Sequence, residues 1–143
     1  GIQALDLVGR KLGANAGRAI FSFFNEIDEF THDHEEDADL KPFVEGLKTA
    51  KAQLQDGATW LMQNGLSNFD NAGAASHDFL DLFGITALTY MWAMMAKAAL
   101  AAKKNGGASD PYYDAKLATS LGFKAEKNFD EIIKVYQEDE MTK

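Results

Sequence analysis

The densest collection of groups able to do chemistry lies between Asn25 and Asp39. Glu26, Asp28, Glu29, Asp33, Glu35, Glu36, Asp37 and Asp39 fall there without a lysine or arginine among them, and His32 and His34 sit inside the run. Carboxylates and imidazoles bind metals, but a site needs several of them converging on one point. Glu29-x-x-His32 has the spacing used by carboxylate-bridged di-iron bundles, which require a second such motif and two further glutamates from other helices. The one other histidine, His77, has Ala74 three residues before it, so the second motif is absent. A looser surface metal site would use His32 and Glu36, one helical turn apart, with His34 beside them. The simpler reading is a solvated helix end whose negative charge suits the start of the next helix near Asp39. The same charges crowd the C-terminus of the helix before it, which its dipole disfavours. A basic partner surface nearby would relieve that strain.

His77 and Asp81 are four apart, and a histidine oriented by a carboxylate can act as a general base. No nucleophile is paired with it in a motif, and Ser76 is adjacent rather than facing, so a buried or interfacial hydrogen bond is the better expectation. Gly9, Gly13 and Gly17 recur every four residues. They form no phosphate loop, lacking GxxxxGK[ST] and a preceding strand; on a helix they would allow close backbone approach to a neighbour. Tyr90, Met91, Trp92, Met94 and Met95 could line a ligand pocket, but their place in the most apolar helix predicts core packing. Residue by residue, the chain offers no active site and reads as a packing and interaction module. A partner would dock on the exposed remainder of the apolar third long helix and the small-residue stripe Ala72–Ser76.

Helical spacing dominates the elements that must position these groups. Residues 2–12 place Ile2, Leu5, Val8 and Leu12 on one face of a short helix. Gly13 loosens the chain, and Asn15 can cap a helix running to about Thr31 with Ala16, Ile20, Phe23, Phe24, Ile27 and Phe30 inward. A second long helix spans about Leu40 to Gly65, with Asp39 as cap and Pro42 in its first turn. Its face is Leu40, Phe43, Val44, Leu47, Leu54, Ala58, Leu61 and Met62. A third runs from about Asn71 to Lys104, started by Asp70, and is apolar nearly all round from Leu82 to Ala102. Its length reaches that of a membrane span. Lys97 inside it, its alanine content and the nearby His77, Asp78 and Asp81 favour a central helix buried by several neighbours. After NGGASD (105–110), Asp110 and Pro111 start a fourth helix with Tyr113, Leu117, Leu121, Ala125, Phe129, Ile132, Ile133 and Tyr136 on its face. Short connections between four long helices predict an all-α, up-down-up-down four-helix bundle with a short leading N-terminal helical segment.

Composition agrees with one domain. The 143 residues are 46% hydrophobic, with two prolines and no cysteine. Disulfides, thiolate metal sites and cysteine nucleophiles are thereby excluded. Fourteen basic against 22 acidic residues give a net charge of −8, which opposes nucleic acid and anionic membranes in the absence of a basic patch. The first residue is Gly1, and nothing near it resembles a signal peptide. The expectation is a processed product or a piece of something longer.

Four stretches are specific enough to carry a resemblance. Gly1-Ile2-Gln3-Ala4-Leu5-Asp6-Leu7-Val8-Gly9-Arg10-Lys11-Leu12 resembles the segment that follows a Tyr-Glu-Gly-Thr region in long bacterial acyl-CoA dehydrogenases. Trp60-Leu61-Met62-Gln63-Asn64, Asp70-Asn71-Ala72-Gly73-Ala74-Ala75-Ser76 and Tyr90-Met91-Trp92-Ala93 look like the C-terminal extension of the same subgroup, which includes 3-methylmercaptopropionyl-CoA dehydrogenases. His77 departs from that pattern, where a threonine is common. The resemblance implies a parent flavoenzyme acting in fatty acid metabolism, in which FAD takes hydride from the β-carbon of an acyl-CoA while a glutamate removes the α-proton. That base would lie just before Gly1. Residues 1–14 would end a helix of the dehydrogenase domain, and 15–143 would form the C-terminal bundle. Gly1 and Gln3 would lie near the flavin of the parent but could not hold it by themselves. Also implied are a cytoplasmic homo-oligomer, packing of this domain on the rest of the dehydrogenase chain, and no catalytic, cofactor or metal site in this piece alone. The alternative is a stand-alone bundle holding a small hydrophobic or acyl ligand. A third reading is a metal-dependent enzyme built on the His32 cluster.

Overall fold

A computed structural model describes residues 1–64, 69–107 and 110–122. The chain is all-α, and no strand occurs among the described residues. Helix α1 (Ile2–Asp6) runs into a widened turn at Leu7–Lys11 and a tight 3-10 turn at Ala14–Gly17. Helices α2 (Arg18–Asp33), α3 (Lys41–Asn64), α4 (Phe69–Ala102) and α5 (Pro111–Gly122) follow. The predicted continuation of the fourth helix to Tyr136, and most of the turn after Gly65, lie outside the described residues.

The leading segment buries a different face from the one its spacing predicts. Ala4 and Leu12 are buried and Leu7 and Val8 half-buried, while Ile2 and Leu5 point to solvent at 87% and 54% exposure. The widened turn is the reason. A turn of more than 3.6 residues rotates the positions after Asp6 relative to those before it, so one helical wheel cannot describe the segment. The start of α2 also differs. Gly17, at φ +74°, occupies the N-cap with no side-chain cap, and Asn15 takes a positive φ inside the tight turn instead of capping. Of the three spaced glycines, Gly17 is needed for its backbone. A Cβ on Gly9 or Gly13 would meet nothing within 4 Å, so neither marks a close helix contact.

From α2 onward the apolar spacing is realised well. Ile20, Phe24, Ile27 and Phe30 of α2 are buried, as are Phe43, Val44, Leu47, Leu54, Ala58 and Leu61 of α3. Full burial of each large side chain stabilises the fold by about 1.5–3 kcal/mol before entropy is counted. Met62, predicted inward, is 37% exposed. The link between α2 and α3 is closed by Asp37, whose side chain accepts the backbone N–H of Asp39 at 3.0 Å. The Leu40 carbonyl then takes the first helical bonds, from Phe43 and Val44. The turn-forming aspartate is therefore Asp37, and Asp39 is not the cap. Lys51 bonds both carboxylate oxygens of Asp28, and Lys48 bonds Glu35, tying α3 back onto α2. Asp110 caps α5 as predicted. Its carboxylate accepts the N–H of Tyr112 at 2.9 Å, with Pro111 in the first helical position.

The 34-residue α4 is about 50 Å long at 1.5 Å per residue, longer than any other helix described. It contacts α1, α3 and α5 along its length; its Phe83 stacks on Phe23 of α2, and its Tyr90 meets Phe23 and Phe30 edge to face. Two core clusters result. One joins Leu12, Ile20, Phe24, Leu54, Ala58 and Leu61 to Ala75, Phe79 and Leu82; the other joins Ile27, Phe30, Leu40, Phe43 and Leu47 to Ala93 and Ala96. By length and composition α4 would also satisfy the requirement for crossing a membrane, with a third of that window buried.

Candidate functional site

Phe79 and Leu82 are buried nearer the start of α4, whereas from Thr86 onward its buried face is made of small residues. Thr86, Ala93, Ala96 and Ala99 are buried there, with the Thr86 hydroxyl donating to the Leu82 carbonyl at 2.8 Å. Small side chains let the neighbouring helices approach closely and push the large ones to the flanks. Leu88, Met91 and Met95 accordingly remain 49%, 44% and 37% exposed. They recur at i, i+3 and i+7, which places them on one outward stripe. Gly84 falls on the same stripe, and a Cβ there would meet nothing within 4 Å. This corrects the expectation that Met91 and Met95 belong to the core.

Beside this stripe, α2 and α4 enclose an open groove of about 460 Å³. Phe30, Tyr90 and Met94 contribute apolar surface to it, and Ala98 and Ala101 extend it along α4. The Phe30 and Tyr90 rings meet edge to face at 5.8 Å. Glu26, Glu29 and Asp33 line the α2 side, and their spacing puts them on one helix face. Lys97 stands over the Phe30 ring with Nζ 5.9 Å from its centroid. His34 packs on Phe30 at 4.8 Å, and its Nε2 is enclosed with no hydrogen-bond partner among the described residues. Burial, reinforced by the negative charge of Glu26 and Glu29, pushes the Tyr90 hydroxyl above its ordinary pKa.

The groove redistributes the candidate residues. Glu29 and His34 line it, whereas His32 and Glu36 are exposed outside its walls. No group of three or more His, Asp or Glu side chains able to hold a metal forms among the described residues. Glu35 pairs instead with Lys48, whose ammonium holds the carboxyl below its usual range. His77 and Asp81 are both exposed, so the pair is not the buried hydrogen bond its spacing suggested. Ser76 is buried and donates its hydroxyl to the Gly73 carbonyl.

Gly1 and Gln3 are exposed at the outer end of α1. One turn of helix with a glycine and a glutamine offers no enclosure for a flavin ring, so these residues do not fit FAD by themselves. Sequence reasoning overlooked Lys97 as a groove residue and Leu88 as an outward one. The signal for the groove was present in Glu26, Glu29 and Asp33 at i, i+3 and i+7 beside Phe30.

Residues 23–123, more than half of the chain, match the family model described as acetyl-CoA dehydrogenase C-terminal like. No curated protein matches the chain.

Proposed function

The chain belongs to the acetyl-CoA dehydrogenase C-terminal-like family, and on that premise we propose that it is the helical accessory domain of an FAD-dependent acyl-CoA dehydrogenase, packed on the dehydrogenase body or at a subunit interface. The observation that carries this reading is the outward stripe of α4. Leu88, Met91 and Met95 stand about half exposed on the longest helix, and contiguous apolar side chains facing water mark contact surfaces. Ile2 and Leu5, exposed on α1, add apolar surface at the end where the body would join.

In this reading residues 1–14 continue the dehydrogenase body, and 15–143 form an up-down-up-down four-helix bundle whose fourth helix begins with α5. The parent carries out α,β-dehydrogenation of an acyl-CoA in the cytoplasm, as part of fatty acid metabolism and as a homo-oligomer. The opening stretch Gly1–Leu12 supports a 3-methylmercaptopropionyl-CoA dehydrogenase-like parent. FAD and the catalytic base belong to the rest of the parent chain, and this domain has a structural role. The groove between α2 and α4 suits an acyl ligand poorly, because Glu26, Glu29 and Asp33 repel both a fatty carboxylate and the phosphates of coenzyme A.

The test is reassembly. The parent is expressed as two separate polypeptides, split immediately before Gly1, and the purified pieces are mixed and weighed by native mass spectrometry. A complex with one copy of this domain per dehydrogenase body is expected. Two folded pieces that remain apart would overturn the proposal.

A further inference from the structure

Glu26, Glu29 and Asp33 differ from their neighbours on α2. Asp28 on α2, and Glu35 in the link that follows it, are each paired with a lysine of α3. Glu26, Glu29 and Asp33 have no ion-pair or hydrogen-bond partner among the described residues, yet they share one face and one groove. The single cation lining that groove, Lys97, lies on the Phe30 ring. Three carboxylates against one ammonium leave the groove net negative, and like charges on one helix face repel. The groove is also too large for an ion and has the size of a ligand cleft. A metal is disfavoured, because no three potential ligands converge. Polyanions are repelled.

The apolar part of the groove limits the choice further. Tyr90 and Met94, both half-buried, offer aromatic and thioether surface in the groove, while Phe30 lines it but is buried and already meets His34 and Lys97. Met94 and Ala98 are within one helical turn of Met91 and Met95, so the groove opens onto the outward stripe of α4. The occupant that suits this lining has an apolar stem and a cationic head, and a body seated on the neighbouring stripe could extend it into the groove. We infer that the α2–α4 groove is the seat of a basic protein segment. An arginine or lysine side chain lies with its stem on Tyr90 and Met94, and its head meets the carboxylate row at Glu29 together with Glu26 or Asp33. The inference rests on the reading of α4 as the docking face, and adds that the docking element of the partner carries a basic residue at its edge. Arginine fits best, because its planar head can stack on an aromatic ring while bonding carboxylates in a fork. It would also supply the basic surface that the acid-rich end of α2 calls for.

The experiment titrates the isotope-labelled chain with the capped peptide acetyl-Leu-Arg-Ala-Ala-Leu-Arg-amide at low salt, following backbone amide shifts. Shifts confined to Glu26–His34 and Tyr90–Ala101 are expected, weakening with added salt. Replacing both arginines by citrulline, or making the triple variant E26Q/E29Q/D33N, should weaken binding at least about tenfold, the scale of one lost charge-assisted bond. The three carboxylates are exposed, so the variant keeps its fold. Shifts spread equally over Glu35–Asp39, or unchanged affinity in the variant, would overturn the inference. Spermidine binding as tightly as the peptide would replace the protein segment by a free amine, and also overturns it. Reassembly with the dehydrogenase body separates the two claims. If the triple variant assembles as well as the unaltered chain, the groove inference falls and the docking reading stands. If the unaltered chain fails to assemble, the docking reading falls.

Discussion

Replacing Leu88, Met91 and Met95 together by glutamine separates the proposed docking role of α4 from its role in folding. Leucine, methionine and glutamine have similar helix propensities, so the helix itself loses little. Glutamine keeps the first two carbons of each stem, and surface substitutions seldom exceed about 0.5 kcal/mol apiece. The triple variant should therefore lose about 1 kcal/mol of stability, roughly 2–4 °C in Tm for a chain of this size. Docking is affected far more. The exposed fractions of 49%, 44% and 37% amount to about one and a third side chains still open to water. At about 1.5–3 kcal/mol for burying a whole large apolar side chain, covering them contributes about 2–4 kcal/mol. Losing that weakens association roughly 30- to 1,000-fold. Isothermal titration of the variant against the separated dehydrogenase body measures the affinity, and thermal melts of the chain alone measure the stability. Affinity within about threefold of the unaltered chain, well short of the burial estimate, would refute the assignment of the stripe. A collapse of Tm with no folded fraction would show that these residues belong to the core after all.

Three further outcomes test the fold and the groove. Leu54→Ala, at a fully buried position between the α2 and α4 faces, should cost about 2–5 kcal/mol in denaturant unfolding; a loss below about 1 kcal/mol, the scale of an ordinary surface change, would mean that this cluster is loosely packed. Gly46→Ala and Gly17→Ala should act in opposite directions on Tm. The first adds a Cβ in open space inside α3 and should stabilise by about 0.5–1 kcal/mol. The second forces alanine to φ +74° with its Cβ 3.1 Å from the Phe21 ring and should destabilise by about 1–2 kcal/mol. The Tyr90 ionisation, taken as the ultraviolet difference between the chain and Tyr90→Phe, should have its midpoint above the ordinary 10.0. Because the folded value is raised, the stability it contributes is intact below pH 10 and is lost as pH rises through the higher folded value. E26Q/E29Q should bring the midpoint down towards 10.0, and a midpoint at or below 10.0 in the unaltered chain would contradict the half-buried, negatively flanked setting.

How much of this was legible in sequence depended on whether one helical period ran through a segment. Along α2 and α3 it did, and Ile20, Phe24, Ile27, Leu47, Leu54 and Leu61 are all buried. Through residues 2–12 it did not, since the widened turn at Leu7–Lys11 breaks the period, and Ile2 and Leu5 end on the outside. Capping was readable where the chemistry was unambiguous. Asp110 before Pro111 had no rival, whereas Asp37 and Asp39 compete within one turn and Asn15 competes with Gly17, two residues on, which takes a positive φ at the N-cap. The groove was half legible. The carboxylate spacing on α2 is in the sequence, but its pairing with Tyr90, Met94 and Lys97 depends on how α4 is rotated, which an almost uniformly apolar helix does not encode in its periodicity.

That rotation is the link between fold and function. A helix apolar on every side could bury its largest residues and show its alanines to water. Here α4 does the reverse around Ala93 and Ala96, because α2 and α3 already bring the bulk. Phe30, Phe43 and Leu47 fill the space against these two alanines, and adding methionines to that face would overpack it. The leucine and methionines left outside, Leu88, Met91 and Met95, then stay 49%, 44% and 37% open to water. For an independent domain such an arrangement leaves apolar surface in water without return. For a domain that packs on a larger body it divides the surface in two, an alanine face for folding and a leucine–methionine face for docking. Methionine suits the second task, since its unbranched stem conforms to a surface that it meets only on assembly. The acidic groove alongside would then fix the register of that contact, because an apolar stripe alone tolerates sliding and a charge seated on the carboxylate row does not.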